Sequence, residues 1–136
     1  MNCDFDPKVF DEHAEVCKVL ANPKRLMILY ILSQGDKTVG ELATAIGIPM
    51  ANASQHLAKL RSRGLVTTKK IGQTVIYSIS DHRIPQACDL IRATLLERLR
   101  HQASIIKSIE EFKLMGQNRI QNNAKPTIKK HGGITS

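Results

Sequence analysis

The sequence predicts a mostly α fold carrying a single β-hairpin, an α+β chain. Three observations lead there. Apolar residues recur at three- and four-residue steps through most of the chain, and one stretch, residues 65–80, switches to β-branched alternation. Aromatic residues make up only 4% of a chain that is 42% hydrophobic, which leaves an aliphatic core of the kind packed helices build. At 136 residues, one domain with a modest core is expected.

The first helix is read over residues 7–21, "PKVFDEHAEVCKVLA", where Val9, Phe10, His13, Cys17 and Leu20 form a stripe. Asp6 is placed as its N-cap and Pro7 at its first position, where a missing N–H costs nothing. In "NPKRLMILYILSQG" Asn22 caps a second helix, Pro23 opens it and Gly35 stops it. Leu26, Ile28, Leu29 and Leu32 are expected to be buried, and a helix so apolar around its circumference should be central. "TVGELATAIGI" gives a short third helix, with a capping box between Thr38 and Glu41 and a stop at Gly47.

Ile48-Pro49 makes the next break. The fourth helix lies within "IPMANASQHLAKLRSRGLV", residues 48–66, with Leu57 and Leu60 inward and Gly64 closing it at C′. In "LVTTKKIGQTVIYSIS", Val75, Tyr77 and Ile79 alternate with Thr74, Ile76 and Ser78, and Ile71-Gly72-Gln73 turns the chain into a hairpin. A long helix then runs from about Ile84 to Met115, with Pro85 in its first turn and Leu90, Ile91, Leu95, Leu99, Ile105, Ile109 and Phe112 at helical spacing. Gly116 is expected to end it, giving a domain over residues 1–115 and a disordered basic tail over 116–136.

Two short helices joined across "GIP", followed by a basic hairpin, make a winged helix-turn-helix. The fourth helix shows what such a unit is for. Its leading half carries the short polar groups Asn52, Ser54, Gln55 and His56, and Lys59, Arg61 and Arg63 follow. A helix entering a major groove needs short hydrogen-bonding groups at the base edges and long cations at the phosphate rim. On the hairpin, Lys69, Lys70, Gln73 and Thr74 are placed to reach an adjoining backbone or minor groove. Asn52 and Ser54 also have a plainer reading as caps or solvated groups, and His56 as a core or phosphate-side histidine. Ser54 and His56, two residues apart on a helix, do not face each other, so a catalytic pair is unsupported.

Charge agrees. The net charge is +8 and the pI near 9.7, and no Asp or Glu occurs from Leu42 to Ser80. The stretch after Glu111 is also acid-free and holds Lys113, Arg119, Lys125, Lys129 and Lys130, whereas acids gather at Asp4, Asp6, Asp11, Glu12 and Glu15. A polyanion partner, double-stranded DNA, is expected. The competing class is an architectural protein that binds nucleic acid without reading sequence. No enzyme is expected, since phosphate loop, catalytic pair and metal-ligand cluster are all missing from the sequence. No apolar run approaches the roughly 18 residues of a membrane span, so a cytoplasmic protein without a membrane partner is expected. The long apolar helix calls for a second copy, and two modules would read half-sites about one DNA turn apart.

The segments "LANPKRLMILYIL", "TVGELATAIGIPMANASQHLAKLRSRGLV" and "IGQTVIYSIS" resemble the ArsR/SmtB family of prokaryotic winged-helix repressors over roughly residues 10–100. The "SQHLAKLRSRGLV" block and the "KRLMIL" helix are the most specific parts. The resemblance implies a homodimer paired through its first and last helices, an imperfect inverted-repeat operator and release from DNA by an inducer. It places Ser54 and His56 at DNA-contact positions, while Met50 stands where the family often has a polar residue.

The family's metal sites do not carry over. Its thiolate site, typically "ELCVCDL", reads "VGELATA" here. Its zinc site keeps Asp81, but Arg83 and Thr94 stand at the histidine positions, and Glu97 alone does not replace them. Sulfide-responsive members carry cysteines at positions matching about Ile31 and Leu96. What remains for sensing is Cys17 and Cys88, with Cys3 near the N-terminus and His13 one turn before Cys17. Two chemistries fit these residues: oxidation or persulfide bridging of Cys17 and Cys88, and trivalent arsenic or another soft metal ion held by the cysteines. The alternatives are cysteines that serve as apolar filler, and a regulator with another inducer or none. No CxxC pair suggests a structural zinc ribbon.

Overall fold

The computed structural model describes residues 5–124. Helix α1 (Pro7–Leu20) starts where expected, with the Asp6 carboxylate accepting from the Lys8 N–H at 2.9 Å. Helix α2 (Pro23–Gln34) is capped by Asn22, whose Oδ1 accepts from Lys24 and Arg25 at 3.0 and 3.1 Å. Helix α3 (Val39–Ile46) carries the expected capping box, Glu41 N–H to Thr38 Oγ1 at 3.2 Å and Thr38 N–H to Glu41 Oε1 at 3.1 Å. These satisfy N–H groups that a helix start otherwise leaves unpaired.

Gly47 takes φ +79° after α3, and the N–H groups of Gly47 and Ile48 both return to Ala43 O. That left-handed residue turns the chain into α4 (Met50–Ser62) within three residues. At the far end of α4, Gly64 takes φ +69°. The Gly64 N–H reaches Arg61 O at 2.9 Å and the Leu65 N–H reaches Leu60 O at 3.0 Å, a Schellman closure.

Strands β1 (Val66–Ile71) and β2 (Thr74–Ile79) pair antiparallel, Val66 opposite Ile79 and Ile71 opposite Thr74. Gly72 alone of the two loop residues has positive φ, +62°, the pattern of a type II′ turn. Lys37 adds an isolated antiparallel bridge to Tyr77, with N–H···O bonds of 3.2 and 2.8 Å. One residue of strand outside the hairpin leaves no alternation in the sequence to detect.

The core joins Ile28, Leu29 and Leu32 of α2, Leu42 of α3, Leu57 and Leu60 of α4, and Leu65, Val66 and Ile79 at the base of the hairpin. Helix α2 is central, packing on α1, α3, α4 and β2. Leu26 departs from expectation and is exposed, because the buried stripe of α2 runs Arg25, Ile28, Leu29, Leu32 and position 26 lies off it. Of the expected stripe of α1, Leu20 packs against the core, but Val9, Phe10, His13 and Cys17 are exposed, and Val16 and Val19 lean on the core instead.

Helix α5 runs Arg83–Ala124, 42 residues, continuing through Gly116. One interior glycine costs a helix only about 1 kcal/mol, and Ile120 continues the apolar spacing beyond it. The expected tail is therefore helical over 116–124, and residues 125–136 lie outside the described residues. Two compact units divide the chain after Leu90. The second carries Ile91, Leu95, Leu99, Ile105, Ile109 and Phe112, all exposed.

Candidate nucleic-acid interface

Helix α4 buries Ala53, Leu57 and Leu60 at steps of four and three, which fixes its rotation. The opposite face then has to carry Asn52, Ser54, Gln55, Lys59 and Arg61, and all five are exposed. The N-cap of α4 is Pro49, with no side-chain cap bond, so neither Asn52 nor Ser54 is a cap. Ser54 and Arg61 join Ala58, Ser62, Leu57 and Tyr77 around a cavity of about 310 Å³ between α4 and β2. Tyr77, read from sequence only as an alternating strand residue, thus stands beside the polar face of α4.

On the hairpin, Lys69, Lys70, Gln73 and Thr74 are exposed around Gly72. Lys70 pairs with Val75 and Lys69 with Ile76, so the two lysines lie on opposite faces of the ribbon. Tyr77 shares its face with Val75 and Lys70, by the same alternation.

Two expected contact residues have partners inside the protein. Arg63 Nη2 lies 3.1 Å from Glu15 Oε2 and its Nη1 3.7 Å from Glu12 Oε2, tying the end of α4 to α1. His56 is half-buried, and its Nδ1 lies 3.4 Å from Nη1 of Arg25. Burial lowers the His56 pKa, and the positive charges of Arg25, Lys59 and Lys24 lower it further. Arg25 is 8% exposed, and its Nε donates to Val19 O. The sequence carries a signal for this role: Arg25 occupies the core stripe with Ile28, Leu29 and Leu32, and a cation there needs partners.

Among the described residues, no group of three or more His, Cys, Asp or Glu stands close enough to hold a metal. Arg83 instead takes the Asp81 carboxylate, with Nη2 2.6 Å from Oδ2 and Nε 3.0 Å from Oδ1, and holds its pKa down to about 2. Cys17 is exposed on α1 and Cys88 half-buried early in α5, and neither is in a disulfide. His13 is exposed, and Cys3 lies outside the described residues. Also among the described residues, no helix is long and apolar enough to cross a membrane.

Residues 22–68 match the bacterial regulatory proteins of the arsR family. The uncharacterized HTH-type transcriptional regulator Rv0081 of Mycobacterium tuberculosis is 34% identical over 97 residues, covering 71% of this chain and 85% of that one. The transcriptional activator HlyU of Vibrio cholerae is 40% identical over 74 residues, 54% of this chain and 68% of the relative. Among solved structures, the homodimeric winged helix-turn-helix DNA-binding domain Mb0332 of Mycobacterium bovis superposes with a TM-score of 0.65 at 36% identity. That match covers 74% of this chain and 95% of the other.

Proposed function

The chain belongs to the arsR family of bacterial regulatory proteins, with the winged helix-turn-helix fold of that family, and from that premise we propose that it is a homodimeric, sequence-specific transcriptional repressor rather than an enzyme. The carrying observation is the outward face of α4. The buried Ala53, Leu57 and Leu60 aim Asn52, Ser54 and Gln55 away from the core, with Lys59 and Arg61 following and no acid between Leu42 and Ser80. In this reading Asn52, Ser54, Gln55 and His56 meet base edges. Lys59, Arg61, one of the wing lysines Lys69 and Lys70, and Gln73 and Thr74 meet the backbone or minor groove, while Arg63 is held by Glu15 and Glu12.

Pairing into a dimer is supported by the exposed apolar stripe of α5, where Leu90 is 72% and Phe112 75% exposed. A stripe of that length outside any core favours a second copy. Two modules then span an inverted-repeat operator, and the protein works in the cytoplasm beside its DNA.

Release from DNA is assigned to thiol chemistry at Cys17 and Cys88. Exposure of Cys17 favours a reactive thiol over apolar filler at that position. An oxidant would take two electrons and two protons from Cys17 of one copy and Cys88 of its partner as one S–S bond forms between the copies. Trivalent arsenic would exchange hydroxide for thiolate and release water.

Fluorescence anisotropy with DNA from upstream of the protein's own gene tests the DNA reading. Specific binding about 10³-fold tighter than to random DNA supports it. Equal affinity for both would leave the architectural alternative.

A further inference from the structure

The polar link between α2 and α4 adds a detail that composition does not show. Arg25 carries a guanidinium that stays charged and donates only. It is buried, its Nε is committed to Val19 O, and its Nη1 faces Nδ1 of His56 at 3.4 Å. A hydrogen bond there requires a lone pair on Nδ1. The proton of the neutral ring must then sit on Nε2, the nitrogen on the far side of the ring.

We infer that Arg25 is a positioning residue: it holds His56 of α4 in the Nε2–H tautomer, so that His56 presents a donor, and only a donor, to DNA. The step onto DNA rests on the function proposed above. The atom it meets is then an acceptor on a base edge, either a purine N7, guanine O6 or thymine O4, and a cytosine amino group is excluded. Of the residues placed at base edges, Asn52, Ser54 and Gln55 carry both donor and acceptor, so the constraint is particular to His56 among them. The charged groups facing the ring, Arg25 and Lys24 from α2 and Lys59 from its own helix, are all positive and favour its neutral form.

The test is nitrogen NMR on the full chain labelled with 15N-histidine, with the His56 signal identified by its loss in His56→Gln. Above the ordinary histidine pKa, Nδ1 should resonate as an unprotonated and Nε2 as a protonated nitrogen. In Arg25→Gln the His56 pKa should rise towards its ordinary value. Affinity for upstream DNA should fall about tenfold, as for one lost base contact, while affinity for random DNA changes far less. Arg25→Lys, which keeps a charged donor, should recover part of that loss.

A protonated Nδ1 in the wild type overturns the inference, and this measurement needs no variant to fold. So does an Arg25→Gln protein that melts earlier yet keeps the wild-type titration and DNA preference, since Arg25 would then be only structural. If the wild type binds upstream and random DNA alike, the proposed function fails, and the nitrogen spectrum still judges the Arg25–His56 link.

Discussion

Arg63, at the C-cap of α4, sits 3.1 Å from the carboxylate of Glu15 on α1. Glu15 is held below the ordinary carboxylate range, first by Lys18 and then by Arg63. One cation at the end of α4 is therefore already engaged, while Arg61, two residues before it, lines the open cavity beside Tyr77. Arg61→Ala should flatten the dependence of log affinity on log salt by about 0.9, the value of one phosphate contact. Arg63→Ala should change it much less, and Glu15→Gln should steepen it by freeing Arg63. Equal losses for Arg61→Ala and Arg63→Ala in a salt titration would contradict this.

The two wing lysines point to opposite faces of the hairpin. One phosphate row can engage only one of them, so the Lys69→Ala, Lys70→Ala double variant should lower the salt slope by about 0.9 rather than about 1.8. The same titration decides it, and the two single variants show which face meets DNA.

Leu57 is fully buried, whereas Leu26 is 36% exposed. Leu57→Ala should cost about 2–5 kcal/mol, the range for emptying an aliphatic core position. Leu26→Ala should cost well under half of that. Urea unfolding followed by circular dichroism compares them, and equal midpoints would place Leu26 in the core after all.

Acidity should weaken the fold in two stages. His56 has a lowered folded pKa, so the unfolded chain takes the proton first, and its contribution fades as pH falls below the ordinary value of 6.5. Asp81 is lowered from 3.8 to about 2 by Arg83, and Glu15 is lowered as well, so the carboxylate contribution is present above their ordinary values and lost as pH falls, for Asp81 through about 2. Melting temperatures measured from pH 8 to pH 2 should show both stages. His56→Gln should erase the first and leave the second.

Arsenite, polysulfide, peroxide and zinc, added separately to a preformed complex, should separate the sensing readings. Release of the wild type by a thiol reagent, with the Cys17→Ser, Cys88→Ser variant remaining bound, is the expected result by anisotropy. An equal response from the variant would return both cysteines to packing roles.

Much of this was legible in the sequence because the signals are local. Asp6, Asn22 and Thr38 cap helices through atoms two or three residues away, and Gly47, Gly64 and Gly72 mark turns by their own φ. Spacing within α4 gave its buried side, and with it the outward set from Asn52 to Arg61. What was missed depends on distant partners. Arg25 meets His56 across 31 residues and Arg63 meets Glu15 across 48, and neither pair leaves a trace in periodicity. The apolar stripe of α1 misled for the same reason, because periodicity does not say which neighbour covers it.

Leu65, between α4 and the hairpin, has both its peptide groups pinned: its N–H to Leu60 O at 3.0 Å and its C=O to the Ser80 N–H at 3.1 Å. With its side chain and that of Val66 also buried, no slack lies between helix and hairpin. The pair works as the two jaws of a caliper locked at one opening. A signal that loosens this protein's grip on DNA would then move whole calipers against each other, changing the span between two copies rather than the gape of either.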